Sequence, residues 1–247
     1  MTKITIAAIN LQSGVATTKS NFHYLSTIWK YWLPHSHESI FEAGKMIRKE
    51  DIDIACIAEI SEKSLRTGFR SQIDYLAQSA KIKYAQFFSS QKFGKFFFHE
   101  GNSLLSKYKI ISTVSHPLHV ELMRMALEET TLEIQDKKIT VFIAHLALTR
   151  KHRTIQIKEI IEILKKQKGP TILVGDFNER RFELLDIIAH ESPLKIRKTL
   201  NTYPSWDPKY PLDNIFLSED FTVLDCYTPK EKRFSDHLSL IVKVELK

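Results

Sequence analysis

Glycine is scarce in this chain, with seven among 247 residues, under half of the ordinary share of about 7%. None of the seven spells GxGxxG or GxxxxGKS/T, which excludes the glycine-built phosphate cradles of dinucleotide-binding and P-loop proteins. Phosphate, if bound, must be held by side chains and metal. Cysteine is scarcer still. Cys56 and Cys226 lie far apart inside apolar runs and form no CxxC or Cys/His zinc spacing. They read as buried free thiols of a protein kept in a reducing compartment. No stretch approaches the roughly 18 apolar residues of a membrane span. The opening MTKITIAAIN carries only a short apolar run, below the about 7 to 15 residues of a signal-peptide core. The expectation is a cytoplasmic protein, although a non-classical export route would leave no mark in such a sequence.

What the chain does have is core-forming material. Hydrophobic residues make up 43%, with 15 Phe, 8 Tyr and 3 Trp, which excludes disordered and collagen-like classes. The formal net charge of +7 is spread along the chain and favours a polyanionic partner without naming one. No repeat, low-complexity tract or Ser/Gly linker divides the sequence, so one domain over residues 1–247 is expected.

Short apolar runs rich in Ile, Val, Thr and Phe read as buried strands at Ile4–Ile9, Ile52–Ala58, Ser103–Ser106, Thr130–Ile134, Ile139–Ala144, Thr171–Val174, Asn214–Leu217 and Leu238–Val244. Helical spacing appears around Ile40 to Ile47, and at Ile157, Ile160, Ile161 and Leu164, with Gly169-Pro170 as a stop. Two aromatic inserts interrupt the pattern. Phe22 to His37 carries Tyr24, Trp29, Tyr31 and Trp32, and Lys92 to Phe98 interleaves lysine with four phenylalanines. Their plainest reading is extra core over an edge of the fold.

The informative pattern is polar residues just beyond the ends of apolar strands, because strand-end loops in layered sheets form the crevice where ligands sit. The segments are Ile9-Asn10, Ala58-Glu59, Ala144-His145-Leu146, Gly175-Asp176-Phe177-Asn178 and Ser235-Asp236-His237. Each alone is ordinary, a turn former, an Asx cap or a solvated acid; their joint occurrence is not.

Together with Asn10-Leu11-Gln12, Gly101-Asn102-Ser103-Leu104-Leu105-Ser106 and Leu212-Asp213-Asn214-Ile215-Phe216, these segments run in the order of one family. The sequence resembles the endonuclease/exonuclease/phosphatase superfamily, the DNase I-like metal-dependent phosphoesterases, over nearly the whole chain. The resemblance implies an α/β (α+β) four-layer sandwich, two mixed β-sheets packed face to face and flanked by helices. It also implies roles. Glu59 is the principal metal ligand, with Asn10 and Asp236 close to the ion; Asp176 is the base for the attacking water; Asn178 stabilises charge on the phosphoryl group. His145 and His237 are the two histidines at the scissile phosphate, Asp213 pairs with His237, and Asn102 borders the substrate phosphate.

The residue types fit that chemistry. Phosphodiester hydrolysis needs a nucleophile in line with the leaving oxygen and neutralisation of the phosphoryl charge. Oxygen ligands without cysteine select a hard cation, Mg2+ or Mn2+, over zinc. Arg150, in a basic run at the entry of a helix, is a further candidate for phosphate contact.

The substrate stays open at this point. Gln12 and Phe177 stand where abasic-site nucleases of the superfamily carry an Asp and a non-aromatic residue, whereas Tyr203-Pro204-Ser205-Trp206 is similar to family hydrolases and to neutral sphingomyelinase-like branches. A Mg2+-dependent nuclease or phosphodiesterase is the first reading, with nucleic acid as partner. A phospholipid or inositol-phosphate hydrolase meeting anionic lipid is the second, and a non-catalytic binding protein the third. A monomer is expected.

Overall fold

A stretch of strand buried on both faces is apolar at successive positions, and residues 6–9 of β1 (Thr2–Asn10) show how that works. Ile4, Ile6 and Ala8 point to one apolar cluster, and Ala7 and Ile9 to another. The computed structural model describes residues 2–90, 94–119, 125–196, 198–230 and 233–247. Lys92 and Phe93 of the second insert lie outside them. After β1 come α1 (Asn21–Thr27), α2 (Glu38–Lys49), β2 (Ile54–Ser61), α3 (Gln72–Ala80), β3 (Tyr84–Ser89), β4 (Glu100–Ser106) and β5 (Lys109–Leu118). The second half holds β6 (Met125–Ile134), β7 (Lys137–His145), α4 (Arg150–Leu164), β8 (Thr171–Asp176), α5 (Glu183–Glu191), β9 (Lys195–Ile196), β10 (Asp213–Leu217), β11 (Phe221–Tyr227) and β12 (Leu240–Leu246).

The strands form two six-stranded sheets, in the orders β11-β12-β1-β2-β4-β3 and β5-β6-β7-β8-β10-β9. Each sheet is antiparallel except for one central parallel pair, β1 with β2 and β7 with β8. A parallel pair needs a crossover on a sheet face. Segment α1–α2 supplies it for the first pair and α4 for the second. Ile4, Ile6, Cys56 and Leu104 of one sheet meet Val141, Ile143, Val174 and Ile215 of the other in a shared core. Outside, α2 and α3 cover the first sheet through Ile40, Met46, Ile47 and Leu76. On the other side α4 and α5 cover the second through Ile157, Ile160, Ile161 and Leu185. The result is the expected four-layer sandwich.

The expected strands are all present, most of them longer than the apolar runs that betray them. Strands β3, β5, β9 and β11 and helices α1, α3 and α5 were not visible in the pattern. Strand β5 explains why, since its residues are mostly exposed at a sheet edge and need no apolar side chains. Both thiols, Cys56 and Cys226, are buried and free. The aromatic inserts depart from the core reading, because Phe22, Trp29, Trp32, Phe96 and Phe97 are exposed.

Candidate active site

The two parallel pairs end at one rim. Strand β1 ends at Asn10 and β2 passes Glu59 in the first sheet, while β7 ends at His145 and β8 at Asp176 in the second. Asn10 spans the sheets, its Nδ2 donating to Glu59 Oε1 at 3.1 Å and to Asp176 Oδ2 at 3.0 Å. Its own Oδ1 accepts from the Gln12 amide at 2.9 Å, which fixes the rotamer.

Glu59 is aimed by a bulge. The β2–β4 register slips between Ile57 and Ile60, and Glu59 takes a left-handed φ of 53°. For a residue with a Cβ that conformation costs about 1–2 kcal/mol, and such strain collects where a side chain must be redirected. Burial, with Glu100 and Asp236 nearby, raises the Glu59 carboxyl to about 7 against the opposing pull of His145.

Asp176 is buried and its two oxygens are separately held. Oδ2 accepts from Asn10 as above, and Oδ1 from the Asn178 amide at 2.8 Å. Two imidazoles face Oδ2, with His145 Nε2 at 4.0 Å and His237 Nε2 at 3.8 Å; His145 Nε2 is also 3.7 Å from Glu59 Oε1. Behind His237, Nδ1 meets Asp213 Oδ2 at 2.8 Å, and Thr202 Oγ1 donates to that same oxygen at 2.6 Å. Burial alone would lower the His237 imidazole, but Asp213 and Asp176 together raise it well above its ordinary value. His237 is thus pinned at Nδ1 by Asp213 and presents Nε2 toward Asp176.

The remaining expected residues fall in different places. Asp236 lines the cavity and accepts from the Tyr24 hydroxyl at 2.5 Å. Asn178 lines the cavity too, with its Nδ2 tied to the Leu146 carbonyl at 2.8 Å. Arg150 lines it from the first turn of α4 and pairs with Glu183. Asn102 is buried in β4, next to the Gly101 that pairs with Ile60. Among the described residues, no side-chain hydrogen bond joins Asn102 to the cluster.

Ligand atoms of Glu59, His145 and Asp176 lie within 4.8 Å of one another, as do those of Asp176, Asp213 and His237. Asp236 belongs to neither group. Carboxylate oxygens with one imidazole in each group are donors that fit a divalent cation. The cavity beside them measures about 760 Å³ and is walled by Gln12, Tyr31, Arg153, Arg181 and Tyr203 as well.

Sequence reasoning did not find Tyr24, Thr202 or Arg66. Burial and Asp236 push the Tyr24 hydroxyl far up, so it stays a donor. The Arg66 guanidinium is buried, donating to Ser61, to Ser13 Oγ at 3.2 Å and to Glu100 Oε2 at 2.6 Å. The only signal for Tyr24 was its place in an aromatic insert, and that signal reads equally as packing.

The profile of the endonuclease/exonuclease/phosphatase family matches residues 28–237. The chain belongs to this family, and so to the phosphoester hydrolases. Solved structures agree in fold. An endonuclease/exonuclease/phosphatase from Beutenbergia cavernae superposes with a TM-score of 0.76 at 16% identity, covering 99% of this chain and 72% of that one. The human nocturnin catalytic domain, solved with a bound sulfate, gives 0.72 at 18% identity, covering 99% and 94%. D. rerio TDP2 complexed with single-strand DNA product gives 0.72 at 15%, covering 99% and 100%. No curated protein matches the chain by sequence.

Proposed function

We propose that this family member is a Mg2+-dependent phosphodiesterase that cleaves nucleic acid, and that Asp176 is its general base. The carrying observation is the placement of Asp176. It is buried, held at both oxygens by amide donors, and faced by the Nε2 atoms of His145 and His237.

A carboxylate so fixed can orient a water and take its proton without first reorganising. His237, held at Nδ1 by Asp213, offers its Nε2 to the phosphoryl or leaving oxygen, where negative charge grows. His145 supplies a second donor from the other side of Asp176. Glu59 and Asp236 would hold the cation, with Asp176 adjacent, while Asn10, whose Nδ2 faces Glu59 and Asp176 and whose Oδ1 is taken by the Gln12 amide, orients those carboxylates; when bound the cation would neutralise phosphoryl charge and steady the leaving alkoxide. Asn178 tethers the segment after β7 through the Leu146 carbonyl, Asn102 sits buried in β4 and is not among the residues that wall the cavity, and Arg150 at the mouth meets the substrate backbone. One domain over residues 1–247, acting as a monomer, is the simplest arrangement, and the buried free thiols fit a cytoplasmic setting.

Nucleic acid is favoured by the net charge of +7 and by the DNA product that TDP2 carries on the same fold. A phospholipid or inositol-phosphate substrate is the second reading, favoured by Leu148, an apolar residue of the cavity wall that is 82% exposed.

The test is nicking of supercoiled plasmid with Mg2+, run beside excess EDTA and the Asp176→Asn protein. Cleavage is expected to vanish with EDTA and to fall at least about 10²-fold in the variant. Intact plasmid from protein that still hydrolyses bis(4-nitrophenyl) phosphate would overturn nucleic acid in favour of lipid. No hydrolysis of either would overturn the catalytic reading and leave a binding protein.

A further inference from the structure

We propose that the two aromatic inserts form a docking surface for an anionic phospholipid bilayer, beside the mouth of the cavity. The first insert has two sides. Tyr24 reaches inward to Asp236, and Tyr31 accepts from Gln12 Nε2 at 3.0 Å. Phe22, Leu25 and Trp29, at i, i+3 and i+7, face outward with Trp32, and Phe22 and Trp32 are 82% and 62% exposed.

The second insert joins it in space. The Trp32 ring packs edge-on against Phe98 with centroids 5.2 Å apart, and Phe96 and Phe97 pack against each other at 5.1 Å. Phe96 is itself 61% exposed. The platform is anchored from below, since the Leu65 amide donates to the Phe96 carbonyl at 2.7 Å and the Arg66 guanidinium lies 5.8 Å from the Phe98 ring centre. Two segments about sixty residues apart in the chain thus make one apolar surface. Soluble proteins rarely leave such a patch open unless something binds it.

Charge identifies the occupant. Residues 19–37 contain Lys19 and Lys30 and no Asp or Glu, and residues 94–99 contain Lys95 and again no acid. Lysine around Trp and Phe suits a headgroup layer, where rings enter the acyl boundary and ammonium groups meet lipid phosphates. Nucleic acid fits less well, because Leu25 and Leu33 cannot stack on bases. A second copy of the chain would bring two basic rims together. No helix among the described residues is long and apolar enough to cross a membrane, so contact of these helices would be peripheral. Binding stands whichever ester the site cleaves, and its failure is separable from failure of catalysis.

The experiment is co-sedimentation of the full chain with phosphatidylcholine vesicles, with and without phosphatidylglycerol, for wild type and a Trp32→Ser/Phe96→Ser double variant. Wild type should pellet with phosphatidylglycerol vesicles, weaken with added salt, and shift its tryptophan emission to the blue. Removing two aromatics that enter the bilayer should lower partitioning about 10²-fold, while both positions, being exposed in the protein, leave the melting temperature and plasmid or diester turnover unchanged. Absence of pelleting, equal pelleting of the variant, or lipid-free self-association lost in the variant would each overturn the proposal.

Discussion

Replacing Gly175 by alanine puts a methyl group where the parallel pair β7–β8 has no room. Gly175 pairs with Ala144 and has φ of 150°, a conformation side chains rarely adopt. An ideal Cβ there would sit 1.9 Å from the Ala144 carbonyl oxygen and 2.8 Å from its carbon, whereas ordinary contact begins at 3.4 Å. The obstacle is backbone, so the strands must separate by about 1.5 Å or β8 must turn out of register. Overpacking of this kind costs about 2–3 kcal/mol, a fall in Tm of roughly 4–12 °C for a chain of this size. The next residue is Asp176, and a catalytic group displaced by about 1 Å loses about 10²-fold in rate. Gly169→Ala is the control. It also has positive φ, of 86°, but nothing stands within 4 Å of the new Cβ. It should cost only about 1 kcal/mol and leave kcat unchanged. Thermal melts and Mg2+-dependent hydrolysis on both variants give the answer. Gly175→Ala with the stability and turnover of Gly169→Ala would refute the steric account of how β8 positions the base.

Two further outcomes follow from the same geometry. Mg2+ should raise the Tm of the wild type, since a ligand of the native state alone must stabilise it, and Glu59→Gln should abolish the rise; an equal shift in both proteins would remove Glu59 from the metal site. Asp213→Asn leaves His237 without its charged partner, so turnover should fall about 10²-fold with an intact near-UV spectrum, whereas unchanged turnover would show that the 2.8 Å contact only packs the core.

The strand ends were legible because a residue buried on both faces must be apolar and a residue at the rim need not be. Ile9-Asn10, Ala144-His145 and Gly175-Asp176 each show that switch from apolar or glycine to polar in the bare sequence. The edge strand β5 was not legible, since an exposed strand has no obligatory apolar pattern. The aromatic inserts were visible but misread. Composition marks Trp32 and Phe96 as apolar without saying that neither reaches the core.

Residue chemistry by itself determined that any phosphate site would rest on carboxylates, amides and imidazoles, because the chain holds no glycine cradle and no cysteine cluster. Which of those groups act together was decided only in three dimensions. Asn10 and Asp176 are 166 positions apart and touch because two sheets stack with their parallel pairs ending at one rim. Tyr24 meets Asp236 across 212 positions because an insert between β1 and α2 folds back over that rim. Side-chain identity is local information, but the distance between two side chains belongs to the packing of every layer between them.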